Sequence, residues 1–214
     1  MGGWDSLRVE LRRLLAEAPG ALVEWPDPDS ERYEKRIWIG LAAWATEIAA
    51  SLHATYGELV DLHVGAMRFP GRELLVNVHS LQLRGEPAGD AGFEVETLAP
   101  LVVRTGHDAR RDVLVTNRTA RAEVLISNGE LSAAVVDGSG GVVGRFVGPH
   151  CLARKGFEVG PQESRSVPVL IGTASVVPEL GYGVPPGEWG LVVELDTEGG
   201  RLMLASSLRI TITP

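Results

Sequence analysis

Apolar residues recur every three or four positions in two stretches near the start of the chain. The first stretch stops at the breaker pair Pro19-Gly20 and predicts a short amphipathic helix over residues 4–18. The second keeps one apolar face over several turns and predicts a longer helix over residues 30–56, with Gly57 just past its C-terminus. We therefore expect the chain to begin with two helices.

The hydrophobic period becomes that of a β-strand after Gly57. Alternating apolar and polar residues predict strands over residues 59–69 and 73–84, joined into a hairpin by a turn at Pro70-Gly71. A glycine-rich loop ends this pattern. We expect residues 1–91 to form a helical and hairpin unit, which has little capacity to bury apolar surface by itself.

Short β-rich runs, separated by Gly, Pro and Asn turns, replace the helical period beyond residue 92. Such regular spacing is typical of all-β domains and predicts a Greek-key β-sandwich over residues 92–214. The eight runs are LVVRT, RDVLVTN, AEVLIS, LSAAVVD, GVVGRFV, ESRSVPVLIGT, WGLVVELDT and SSLRITIT.

The segment VVDGSGGVVG, from Val135 to Gly144, resembles a glycine-rich phosphate-binding loop at first sight. A dinucleotide-binding loop is followed directly by a helix, because the helix N-terminus binds the pyrophosphate. Here the chain continues as RFVGPH, and Gly148-Pro149 leaves no room for that helix. We therefore expect a hairpin turn whose glycines adopt positive φ angles.

Three segments of the second half carry a resemblance to a known family. They are VTNRTARAEVLISNGELSAAVVDGSGGVVGRF, FEVGPQESRSVPVLI and VPPGEWGLVVEL, within residues 113–195. In this order they resemble the bacterial intracellular proteinase inhibitor (BsuPI-like) family, which implies an immunoglobulin-like domain and protease inhibition. The expected fold class is α+β: a two-helix plus β-hairpin unit, followed by an immunoglobulin-like Greek-key β-sandwich.

Charge is distributed unevenly along the 214 residues, whose net charge is -8. Residues 1–97 contain 16 acidic and 9 basic residues, whereas residues 98–214 contain 12 and 11. A nucleic-acid-binding protein needs a concentrated basic face, so we expect no nucleic-acid partner. Arginine supplies 18 of the 20 basic residues, which is typical of a GC-rich bacterial genome.

No apolar run has the length of a membrane span, and charged residues interrupt the first helix where a secretion signal would be apolar. We therefore expect a cytoplasmic protein with no membrane insertion. The single cysteine, Cys151, excludes an internal disulfide and every multi-cysteine metal site.

The sequence offers few candidates for metal ligands or catalytic residues. His63 and His79 fall on the two strands of the predicted hairpin and are weak candidates for metal ligands, with partly buried polar residues as the competing interpretation. His150 and Cys151 point in opposite directions on a strand, and Ser139 lacks the strand-to-helix turn of a serine nucleophile. We predict no catalytic residues and no cofactor.

Two features are candidates for partner contact. Trp38 and Trp44 lie on the second predicted helix, which is apolar around most of its circumference and must be buried on more than one side. The segment from Gly172 to Gly187 lacks alternation and carries Pro178, Tyr182 and Pro185. Long ordered loops are often functional, although this one equally suits a structural strap.

These observations favour a non-catalytic protein-interaction or assembly module of a bacterial cytoplasm, with a protein partner or self-association. No site chemistry converges, and sandwiches present loops and edges for binding. An intracellular proteinase inhibitor is the second hypothesis, on the family resemblance. A metal-binding protein or an enzyme using His63 and His79 is the third.

Overall fold

The computed structural model of the chain describes residues 3–25, 36–75, 82–149 and 153–214. Its N-terminal unit is a four-stranded sheet with two helices. The sheet has the order β1-β2-β3-β4, and only the β2–β3 pair is parallel. The elements are α1 (Gly3–Glu17), β1 (Leu22–Glu24), β2 (Ile37–Leu41), α2 (Thr46–Tyr56), β3 (Val60–Val64) and β4 (Met67–Phe69), with a 3₁₀ turn (Gly57–Leu59) before β3.

One face of this sheet packs on the helices. Alternate residues of β2 and β3 point into a single hydrophobic cluster with the apolar faces of α1 and α2. The buried members include Leu7, Leu11, Leu14, Ile37, Ile39, Leu41, Ala49, Leu52, Val60, Leu62 and Val64. The intervening residues of the strands therefore form the opposite face, which we call the open face.

The predicted two-helix start, and with it the α+β class, is wrong: the fold is mostly β. Helix α1 forms where expected, but the described part of the predicted helix over residues 30–56, residues 36–56, contains a strand, β2, and a shorter helix that begins at Thr46. Ile37, Ile39 and Leu41 fit a period of two as well as a period near four. β-branching and the low helix propensity of Gly40 favour the strand.

The predicted strand over residues 59–69 is itself a hairpin. Val64 pairs with Met67, so Gly65 and Ala66 form a two-residue turn, and Gly65 adopts a φ of +56°. Beyond the turn at Pro70-Gly71, Leu74 forms a bridge with Met67. Half of the predicted strand over residues 73–84, namely residues 76–81 with His79, lies outside the described residues.

The rest of the described chain forms a β-sandwich. The strands are β5 (Glu86–Pro87), β6 (Phe93–Thr97), β7 (Leu101–Arg104), β8 (Asp108–Asn117), β9 (Glu123–Ser127), β10 (Leu131–Val136), β11 (Val142–Arg145), β12 (Lys155–Val159), β13 (Ser164–Gly172), β14 (Ala174–Ser175), β15 (Gly187–Thr197), β16 (Leu202–Leu204) and β17 (Leu208–Thr213); a 3₁₀ turn spans Pro178–Leu180. All eight predicted runs are strands.

Strand β15 organises the sandwich. It pairs with β17 near its start, with β10 along its middle and with β16 and β9 near its end. The layer β13-β8-β6 is joined to it through a short parallel pairing of β10 with β13, so the sheet curls around its core. Ala88 and Ala91 also contribute to this core, and the predicted boundary near residue 91 stays a prediction.

The segment VVDGSGGVVG is the predicted hairpin, between β10 and β11. Val136 pairs with Val142, and Gly140 adopts a φ of +85°. The carboxylate of Asp137 accepts hydrogen bonds from the backbone N–H groups of Ser139 (2.8 Å) and Gly141 (2.9 Å) and from the Ser139 hydroxyl (2.6 Å). These bonds lower the pKa of Asp137 and account for the acidic residue without a phosphate ligand.

The N-terminal unit and the sandwich meet at a tight joint around Gly106. Its φ is +71°, and a Cβ atom there would lie 2.7 Å from the backbone nitrogen of Trp44. The Trp44 ring stacks on His107 at a centroid distance of 5.4 Å. Nearby, the Tyr182 hydroxyl donates a hydrogen bond to the Pro70 carbonyl over 3.1 Å. The two parts are thus held by backbone-to-backbone packing and by aromatic contacts.

Candidate interaction surface

The open face of the N-terminal sheet presents a large aromatic side chain to solvent. Trp38 on β2 is 39% exposed, and its ring lies 4.3 Å from the ring of His63 on β3. Trp25, just after β1, is 36% exposed. Tryptophan is usually well buried, so the exposed indole of Trp38 on this face requires an explanation.

His63 lies beneath the Trp38 ring because its strand neighbour is glycine. Gly40 pairs with His63 on one side and with Glu24 on the other. A Cβ atom at Gly40 would lie 2.6 Å from two His63 ring atoms, so the imidazole occupies the space that a side chain would fill. The sequence IWIGL thus provides both the exposed indole and the site for the imidazole.

The imidazole of His63 is held in a neutral form. Only 13% of the side chain is exposed, and its Nε2 atom is buried with no hydrogen-bond partner among the described residues. Desolvation lowers the pKa of His63, against a backbone hydrogen bond at Gly65 and the charges of Glu24 and Asp61. The Glu24 carboxylate, 66% exposed, lies 4.0 Å from Nε2.

Further charged groups surround this pair. Asp61 is the strand neighbour of Trp38, and Arg68 on β4 is the strand neighbour of His63. The Arg68 guanidinium lies 3.6 Å from Asp61 and 3.5 Å from Glu73. At the start of β2, Arg36 forms an ion pair with Glu58. Among these described groups, carboxylates outnumber guanidiniums, and the face as a whole is acidic.

Of the two histidines predicted as weak metal-ligand candidates, His63 lies on β3 and His79 lies outside the described residues. Within residues 3–25, 36–75, 82–149 and 153–214, no group of three or more His, Cys, Asp or Glu side chains is arranged to hold a metal ion. No helix among these residues is long and apolar enough to cross a membrane. His150 and Cys151 are also outside the described residues.

The other predicted contact residues lie at or near the joint. Trp44 stacks on His107, and Tyr182 contacts Phe69 at a centroid distance of 5.8 Å. Pro178 begins a 3₁₀ turn, and the Pro185 carbonyl accepts a hydrogen bond from the Trp189 indole over 3.0 Å. The segment that carries these residues thus works as a strap inside the molecule, and its role in partner contact stays a prediction.

A second concave region is a groove of about 1230 Å³ on the outer face of the sandwich. At its floor, Arg145 of β11 and Glu194 of β15 form an ion pair with 17% and 16% of their side chains exposed. At its rim, Arg110 and Glu130 pair over 2.5 Å. These four charged lining residues therefore form two ion pairs with one another.

Asp108 lies at the edge of this groove, and its carboxyl group has a raised pKa. Desolvation raises the pKa of Asp108 to about 6, although the charge of His107 opposes the shift. The folded protein then binds more protons than the unfolded chain between the ordinary value, 3.8, and about 6. The stabilisation that Asp108 provides when protonated is lost as the pH rises through this window.

We expect Asp108→Asn to raise the melting temperature at pH 8 by roughly 1–3 °C and to leave it unchanged at pH 4. The effect is small because the side chain remains accessible to solvent, which screens its charge. Thermal melts of both proteins at the two pH values measure the difference. An equal shift at both would contradict a raised pKa.

No protein-family model matches the chain, and no curated protein matches it. Among solved structures, a β-glucosidase from Erythrobacter marinus is 17% identical, with 56% of this chain and 15% of that chain covered and a TM-score of 0.31. The matched region is thus a small part of that enzyme.

Two further structures give similar scores. The sporulation control protein Spo0M from Bacillus subtilis is 17% identical, with 57% of this chain and 50% of that chain covered and a TM-score of 0.31. A CARDB domain from Pyrococcus furiosus, solved in complex with di-metal ions, is 12% identical, with 56% and 91% covered and a TM-score of 0.29. The strand pairing of the chain itself is what establishes its β-sandwich.

Proposed function

We propose that this protein is a non-catalytic protein-interaction module of the bacterial cytoplasm, and that its binding surface is the open face around Trp38. One observation carries the proposal: an indole that is 39% exposed stands on a sheet whose opposite face is fully packed by helices. Large aromatic side chains supply much of the energy of protein interfaces.

The packing of the N-terminal unit supports a binding role for the open face. The inward side chains of β2 and β3 share a buried cluster with both helices, so the Trp38 ring is held on a rigid platform. The contact with His63 at 4.3 Å limits the orientations of that ring. A partner therefore binds a pre-ordered aromatic group and loses little side-chain entropy on this side.

We expect Trp38→Ala to reduce partner binding at least tenfold, because truncated aromatic anchors at interfaces often lose 2 kcal/mol or more (order of magnitude). The matched control is Leu98→Ala, which removes another exposed apolar side chain, 55% exposed, from the sandwich. Tagged wild type and both variants, purified from the native host, are compared by size-exclusion chromatography and by retention of co-purifying protein.

Loss of the partner with Leu98→Ala and its retention with Trp38→Ala would contradict the assignment of the surface. Circular dichroism melts accompany the comparison, since a variant that unfolds also loses its partner. Trp38 is partly exposed, so we expect its truncation to leave the protein folded at room temperature.

Protease inhibition is the second candidate function, favoured by the resemblance of residues 113–195 to an immunoglobulin-like inhibitor family. In the strap Gly172–Gly187, the buried backbone N–H of Ser175 donates to the Tyr182 carbonyl and that of Val184 to the Thr173 carbonyl, both over 2.9 Å, and these bonds tie down the two sides of the turn that exposes Glu179. Pre-ordered loops are common in protease inhibitors. An unchanged rate of an intracellular serine protease on stoichiometric addition would exclude this candidate.

A further inference from the structure

We propose that the open face around Trp38 binds an arginine- or lysine-rich segment of a protein partner. This inference rests on the proposed function and names the chemistry of the partner. It follows from three properties of one small surface: an exposed π-system, an excess of carboxylates and a neutral imidazole beneath the ring.

The exposed indole is the first property. A cation placed over the face of tryptophan is attracted by the ring quadrupole, and guanidinium groups also stack on it. One side of the Trp38 ring is in contact with His63, and the ring remains 39% exposed. The solvent side of the indole is therefore available to a guest.

The carboxylates are the second property. Asp61 lies beside Trp38 in strand register, and Glu24 lies across Gly40 from His63. Glu24 is 66% exposed, and its carboxylate lies 4.0 Å from Nε2 of the neutral His63. Asp61 shares Arg68 with Glu73, so the single guanidinium of Arg68 faces two carboxylates. A guest cation on Trp38 therefore meets a negative potential.

The neutral imidazole is the third property. Desolvation lowers the pKa of His63, so this ring adds no positive charge beneath Trp38 near pH 7. Its buried Nε2 atom has no hydrogen-bond partner among the described residues and lies 4.0 Å from the Glu24 carboxylate. A cationic guest therefore meets no positive charge from the imidazole below the ring.

The N-terminal region as a whole carries a negative net charge, as the surface around Trp38 does. Residues 1–97 contain 16 acidic and 9 basic residues, while the remainder is almost balanced with 12 and 11. Long-range attraction of a basic segment is therefore directed at the part of the chain that carries Trp38. The same excess of acid repels nucleic acid and anionic lipid surfaces.

The test uses fluorescein-labelled octa-arginine, octa-lysine and octa-glutamate, titrated with the full-length protein and followed by fluorescence anisotropy. We expect saturable binding of octa-arginine, weaker binding of octa-lysine and none of octa-glutamate, because guanidinium stacks on indole better than ammonium does. Binding should weaken as NaCl is raised, since part of the attraction is between exposed charges.

Single substitutions test whether octa-arginine binds at the open face around Trp38. We expect Trp38→Leu to weaken octa-arginine binding at least about fivefold and Glu24→Gln about threefold. Arg68→Gln should strengthen it about twofold, because Asp61 and Glu73 are then unpaired. The matched control is Glu96→Gln, which removes one exposed negative charge from strand β6 of the sandwich and should leave affinity within about 1.5-fold.

Wild-type affinity in both Trp38→Leu and Glu24→Gln would overturn the inference, as would equal binding of octa-glutamate or no saturable binding of octa-arginine. Glu24→Gln keeps the test decisive if Trp38→Leu fails to fold. The two proposals fail separately: a native partner lost on Trp38→Ala, combined with failure of the peptide test, would support the proposed function and show that the surface binds a partner that is not basic.

Discussion

Gly106→Ala is expected to lower the free energy of unfolding by roughly 3 kcal/mol. The residue has a φ of +71°, which disfavours any side chain by about 1–2 kcal/mol. In addition, the new Cβ would lie 2.7 Å from the Trp44 nitrogen and 2.9 Å from the Ala43 carbonyl carbon. These are backbone atoms, so the N-terminal unit itself must move away from the sandwich, and overpacking of this kind typically adds ~1–3 kcal/mol.

The matched control is Gly140→Ala, at the tip of the β10–β11 hairpin. Its φ of +85° is as unfavourable to alanine, but no atom lies within 4 Å of the new Cβ. We expect a loss of about 1 kcal/mol there, from the backbone alone. Urea unfolding of the three proteins gives both values, and equal losses at the two glycines would contradict a tight joint at Gly106.

The partly buried ion pair of Arg145 and Glu194 is expected to give the second large effect. Glu194→Leu should destabilise the protein by roughly 2–4 kcal/mol, because it removes the Glu194 carboxylate from its ion pair with the Arg145 guanidinium in the groove floor. The double variant with Arg145→Leu should recover most of this loss, since two apolar residues of similar size can replace a buried pair.

Double-mutant cycles separate this pair from a surface pair in the same groove. Arg110 is 73% exposed, so the cycle on Arg110 and Glu130 should give a coupling of no more than about 1 kcal/mol. A coupling between Arg145 and Glu194 as small as that would show that solvent screens the groove floor.

The sandwich was more readily predicted from sequence than the N-terminal unit. Its strands alternate clearly and are separated by glycine-rich turns, and the hairpin at Asp137 follows from local chemistry alone. The strands FEVET and KGFEV at residues 93–97 and 155–159 were missed because each is short and buries only one or two side chains fully. Runs this short do not distinguish an edge strand from a loop.

The error in the N-terminal unit has a single physical source. Ile37, Leu41, Trp44 and Ile48 satisfy a helical period, while Ile37 with Ile39 and Leu41 also satisfies a period of two. Periodicity alone does not distinguish a helix from a strand in this segment. The parallel pairing with β3 determines that it is a strand. Local sequence carries little information on a pairing partner more than twenty residues away, and tertiary contacts override propensity.

The candidate surface was predictable only in part. Trp38 and His63 were each singled out by residue type, but their contact requires β2 to be a strand beside β3. Glu24 was not singled out, since its closeness to His63 depends on the missing side chain of Gly40. A glycine inside an apolar run was the one available signal, because it marks a close approach by another group.

The central claim is that partners bind the open face at Trp38. The most direct measurement is photo-crosslinking in the native host, with p-benzoylphenylalanine replacing Trp38 in one protein and the exposed sandwich residue Leu98 in another. We predict a covalent protein adduct from position 38 and none from position 98. An adduct from position 98 alone, or from neither while the wild-type chain still elutes in a complex, would contradict the account.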